Sequence, residues 1–111
     1  MSTSAEYTDY VLDQLSSLGV IHTSKMFGGV LLIIYGTQLG VIIEDILYFK
    51  VTAPELQTKL QTQGSQQFTY TRKDKEEPVV IKNWWSVPEE ILEDRDKVVD
   101  LANITLGRED L

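Results

Sequence analysis

The strongest constraint on the fold is the shortness of the links between apolar segments in residues 25–51. Lys25–Tyr35 is almost continuously apolar after Met26, Leu39–Ile43 is apolar again, and Ile46–Val51 is β-branched and aromatic. Tyr35-Gly36-Thr37-Gln38 and Glu44-Asp45 are the links between them. A parallel return needs a crossover of a dozen or more residues, so these segments form antiparallel hairpins. Gly28 and Gly29, inside the first segment, mark a bulge or a close backbone approach.

Helical patterns flank this block. Thr3-Ser4-Ala5-Glu6 reads as a capping box, and Tyr7, Val11, Leu15 and Leu18 follow at helical spacing until Gly19. The first helix is therefore expected over Ser4–Leu18. Ala53–Gln63 is the second, with Pro54 in its first turn and Gly64 after its end. Gln67–Arg72 alternates as a strand, Lys73–Glu77 is a polar turn, and Pro78–Trp85 is the last strand. From Ser86 onward the apolar pattern slips phase near Asp94-Arg95-Asp96, which predicts a short helix, a kink, and a second helix ending before Gly107. Residues 107–111 are expected to fray. The element order α-β-β-β-α-β-β-α gives an α+β fold, a two-layer sandwich of helices on an antiparallel sheet. One domain spans residues 1–111, with an ordered core of about 4–106.

Composition excludes several function classes. The chain has no cysteine and one histidine, which removes disulfides, thiolate chemistry and multi-histidine metal sites. The formal charge is −7, with residues 1–71 contributing −3 and residues 72–111 contributing −4. An acidic surface opposes direct nucleic-acid binding, because phosphate contacts dominate that affinity. The basic run Arg72, Lys73, Lys75 is broken by Asp74, Glu76 and Glu77 and reads as a solvated hairpin tip. The longest wholly apolar stretch, Val30–Ile34, is far short of a membrane span, and the N-terminus carries no signal-peptide pattern. The expected location is the cytoplasm.

Four stretches occur in an order that resembles the N-terminal domain of the TfoX/Sxy proteins, bacterial regulators associated with natural competence. They are Met26-Phe27-Gly28-Gly29, Leu47-Tyr48-Phe49-Lys50-Val51, Phe68-Thr69-Tyr70, and Trp85 through Asp94. The resemblance covers about residues 6–104 and implies the same α-β(3)-α-β(2)-α arrangement. It supplies no catalytic residues. The family's competence regulators carry a further helical domain, and the expectation here is a diverged, stand-alone member. Val30 stands where many members have an aromatic, and Asn83-Trp84-Trp85 replaces a commoner Tyr-Trp or Tyr-Tyr pattern.

No nucleophile–base pair is visible, so no catalytic or metal-binding residue is assigned and no cofactor is expected. His22 reads as a surface-loop residue. The acidic set Glu89, Glu90, Glu93, Asp94, Asp96 and Asp100 lacks the spacing of a calcium loop and reads as a solvated face. Neighbours in a strand point to opposite faces, which puts one of Met26 and Phe27, and one of Tyr48 and Phe49, on the face away from the helices. Trp84 and Trp85 raise the same question: one packs under the last helix and the other is expected to be partly exposed. Met26, Phe27, Tyr48, Trp84 and Trp85 are thus the candidate interaction surface of a non-enzymatic regulatory or protein-interaction domain. The partner is an unidentified protein or a second copy of the chain. The alternative is a small-molecule sensor or enzyme with a pocket between sheet and helices, lined by Tyr, Trp and Lys50.

Overall fold

The computed structural model describes residues 4–71 and 78–110. Helix α1 (Ala5–Gln14) and a 3-10 turn (Ser16–Leu18) lead into strands β1 (Ile21–Met26), β2 (Gly29–Ile34), β3 (Thr37–Ile43) and β4 (Ile46–Lys50). Helix α2 (Pro54–Thr62), β5 (Gln67–Thr71), β6 (Pro78–Ser86), α3 (Glu89–Leu92) and α4 (Arg95–Thr105) follow. The six strands form one antiparallel sheet in the order β1-β2-β3-β4-β6-β5. The fold is α+β, as the link lengths require. The expected hairpin tip at residues 72–77 and the Thr3 end of the capping box lie outside the described residues.

The element order contains one strand more than the sequence reading. Ile21–Met26 is β1, and His22 sits on this edge strand rather than in a loop. All four central residues of β1 are exposed. Such a strand is held by backbone hydrogen bonds along one side, so its side chains carry no hydrophobic alternation to read.

The glycine pair is corrected accordingly. Phe27-Gly28 is a two-residue hairpin turn, and Met26 pairs with Gly29 across it. Both turn residues have positive φ, +54° and +74°, as a type I′ turn demands. Tyr35-Gly36 and Glu44-Asp45 repeat the same geometry. Gly29 itself is a close approach, because a Cβ there would meet the Ile42 carbonyl oxygen. The irregularities lie elsewhere. Leu39 is an extra residue on β3 opposite the Leu32/Ile33 step. Between Val80 and Trp85, β6 carries extra residues opposite Phe68. Asn83, with φ +77°, lies inside that second bulge.

The helix ends are closed by specific partners. Ser4 caps α1 by accepting from the Tyr7 amide at 3.1 Å. The Ser4 amide donates to the Asp45 carboxylate at 2.8 Å, which takes the part expected of Glu6. Asp94 accepts from the Asp96 and Lys97 amides and starts α4 at the expected kink. Residues 108–109 are not frayed. Their amides donate to the Asn103 carbonyl, and the Arg108 guanidinium lies 4.7 Å from the centre of the Tyr35 ring.

The main core lies between the helices and one face of the sheet. It joins Val11 of α1 and Leu15 just after it, Leu56 and Leu60 of α2, and Val98 and Leu101 of α4 to Leu32, Ile42, Phe49 and Trp85. Gln14 is buried here, and its Nε2 donates to the Leu92 carbonyl at 2.8 Å, satisfying a carbonyl at the end of α3. A second, smaller core on the other face contains Leu31, Val41, Ile43, Phe68 and Trp84.

Candidate functional site

Much of the sheet face turned away from the helices is covered by the chain itself. Phe27, in the β1–β2 turn, packs against Phe68 and Tyr70 of β5, with ring centres 5.4 and 6.0 Å apart. In the sheet, β2 and β5 are separated by β3, β4 and β6, so these contacts require the sheet to curl until its ends meet. Tyr48 adds an edge contact to Phe68 at 5.2 Å, and Phe68 and Tyr70 stack at 6.2 Å. The result is an aromatic cluster in the concave side of the sheet, over the second core.

The five candidate residues divide. Met26, Phe27 and Tyr48 lie at this cluster, with Phe27 39% exposed and the other two half-buried. Trp84 and Trp85 are both buried, at 5% and 7% exposure. The expectation that one indole would be partly exposed is corrected. Trp85 joins the main core under the helices and Trp84 the second core, so both are packed. The Trp85 indole N–H finds no acceptor among the described residues. The sequence reading missed Tyr70. Its alternation with Phe68 showed a shared face, and no local signal showed that this face meets the β1–β2 turn.

Local electrostatics are mild. Burial pushes the Tyr48 phenol above its ordinary value, and the Glu44 carboxylate adds to the rise. Burial also raises Tyr7, against the lowering effect of its hydrogen bond with the Leu47 backbone. The Lys50 ammonium donates to the Gln38 amide oxygen at 3.3 Å and lies 5.9 Å from the Trp84 ring centre. No group of three or more potential metal ligands occurs among the described residues.

A separate cleft of about 320 Å³ opens on the helical side. Leu56 and Leu60 of α2 and Leu101 and Ile104 of α4 line it, with Lys59, Lys97, Glu90 and Asp100 among its polar residues. No Tyr, Trp or Lys50 lines it, unlike the pocket foreseen from sequence. Lys50 borders a shallower recess with Gln38, Thr52 and Thr105. No helix among the described residues is long and apolar enough to cross a membrane.

Residues 13–108 match the family model of the TfoX N-terminal domain. No curated protein sequence matches the chain.

Proposed function

The chain belongs to the TfoX N-terminal domain family, and from that premise we propose that it is a non-enzymatic, cytoplasmic protein-interaction module. Its role resembles that of the corresponding domain in competence regulators. The observation that carries this reading is the placement of Phe27. A phenylalanine at positive φ is locally unfavourable, since glycine or asparagine suits a type I′ turn better. The residue is nevertheless 39% exposed, at the rim of an aromatic cluster. Exposed aromatic surface of this kind is typical of the centre of protein interfaces. Met26, Tyr48 and Tyr70 extend it, and the partner is another protein or a second copy of the chain.

The test is affinity capture from a lysate of the source organism, with and without nuclease, using the native chain and Phe27→Asn. Asparagine suits the turn, so the hairpin persists while the ring is removed. A nuclease-resistant partner lost with Phe27→Asn is the expected result. Capture indifferent to the substitution, or dependent on nucleic acid, refutes the reading. Native mass measurement at high concentration reports whether the partner is a second copy.

A further inference from the structure

The cleft on the helical side is a different surface from the concave aromatic face, and its lining is ordered. From α2 and its C-terminal cap it takes Leu56, Lys59, Leu60 and Gln63, spaced i, i+3, i+4, i+7 along one helix face. On α4 it takes Lys97, Asp100, Leu101 and Ile104, the same stripe on a second helix. Pro88, Glu90 and Ile91 from the start of α3 complete the lining. Leu56, Leu60 and Leu101 are buried and make an apolar floor. Lys59, Gln63, Glu90, Lys97 and Asp100 are exposed and make the rim.

The rim is therefore of both signs. Neither lysine is ion-paired among the described residues. A hydrogen bond to Asp100, made when the Glu109 carboxyl is protonated, holds that carboxyl above its ordinary value. A purely anionic ligand would be held by the lysines and opposed by Glu90 and Asp100. A purely cationic one would meet the reverse. A dipolar molecule with an apolar body satisfies the floor and both signs of the rim. Because the chain carries a net charge of −7, the lysines at the cleft are also a local exception that favours one end of such a molecule.

We propose that the cleft between α2 and α3–α4 binds a small dipolar molecule with an apolar body, the chemistry of a free apolar amino acid or dipeptide. The site is independent of the aromatic face, so it stands or falls separately from the interaction-module reading.

The experiment titrates the ¹⁵N-labelled full chain with leucine, with leucyl-leucine, and with N-acetyl-leucyl-leucine amide, in which both charges are masked. Saturable shifts confined to amides of α2, α3 and α4 are expected with leucine or leucyl-leucine. The masked peptide is expected to bind roughly tenfold more weakly. Lys59→Gln and Lys97→Gln, both at exposed positions, are each expected to weaken binding about threefold while leaving the remaining amide shifts in place. Leucine binding more tightly than leucyl-leucine identifies a free amino acid as the better ligand. The proposal is overturned by equal affinity for the masked peptide, by shifts outside these helices, or by no saturation up to about 10 mM.

Discussion

Trp84 and Trp85 are neighbours in the chain and are buried on opposite faces of the same sheet. Trp85 packs with Phe49, Leu32 and Val98 under the helices. Trp84 packs with Phe68, Val41 and Leu31 on the concave side. The bulge in β6 and the left-handed Asn83 adjoin this pair. The Asn83 carbonyl accepts from the Val51 amide at 2.6 Å, and its side-chain oxygen lies 3.3 Å from the Gln57 amide nitrogen. Trp84→Ala and Trp85→Ala are each expected to cost about 3–5 kcal/mol, measured by urea unfolding. Neither is therefore a clean probe of an interface, and a loss below about 1 kcal/mol for Trp84→Ala would show that the second core is not formed.

The two glycines in closely packed strands have no room for a methyl group. At Gly29 a Cβ would meet the Ile42 carbonyl oxygen, and at Gly40 the Tyr48 carbonyl oxygen. Backbone atoms cannot step aside as a flexible side chain can. Gly29→Ala and Gly40→Ala are expected to lose more than about 3 kcal/mol in denaturant unfolding or to fail to fold. Gly64→Ala, at φ +96° in open space, should lose only the conformational cost of about 1–2 kcal/mol.

Phe27 supports opposing effects that substitution can separate. Phe27→Ala removes the ring contacts and keeps an unfavourable left-handed residue. Phe27→Asn removes the contacts and relieves the turn. Both should fold, with Phe27→Asn more stable than Phe27→Ala by about 0.5–1 kcal/mol in thermal unfolding. Equal stability would mean that the turn does not hold this residue at positive φ.

Gln14 donates from a buried position to the Leu92 carbonyl. Gln14→Leu fills similar space and leaves that carbonyl without its partner. A loss of about 1–3 kcal/mol is expected in urea unfolding, the cost of a buried acceptor left unsatisfied.

Alkaline pH should destabilise the fold through Tyr48 and Tyr7. Burial raises both phenols above their ordinary value in the folded state. The stability they contribute is complete below the unfolded value near 10 and is lost as pH rises through the folded ones. Thermal stability should therefore fall with pH above about 10, and Tyr48→Phe should flatten that fall. An identical pH profile for Tyr48→Phe would show that its phenol is not shielded.

Much of the fold was legible because its signals are local. Links of two residues between Ile34 and Thr37 and between Ile43 and Ile46 leave no alternative to antiparallel hairpins. The phase slip near Asp94 marked the break between α3 and α4 because Asp94 is a cap. The first strand was not legible. His22, Thr23, Ser24 and Lys25 are all exposed, and their place in the sheet is set by backbone pairing with β2. For the candidate surface, strand alternation left open which of Met26 and Phe27, and which of Tyr48 and Phe49, faces away from the helices, and no short stretch of sequence showed that Phe27 sits in a turn or how deeply Trp84 is buried.

The sequence by itself determined an antiparallel α+β architecture, the places of its helices in the chain and its acidic character, since link length, apolar spacing and charge are properties of short stretches of chain; the first helix, expected to run to Leu18, ends at Gln14 and continues as a 3-10 turn. Only the tertiary structure decided what covers the second face of the sheet. Twist accumulates over six strands, and its sum brings Phe27 of one hairpin onto Phe68 and Tyr70 at the far edge. No short stretch of chain records that sum. It is the reason Trp84 and Trp85 are both buried and the exposed rim is left to Phe27.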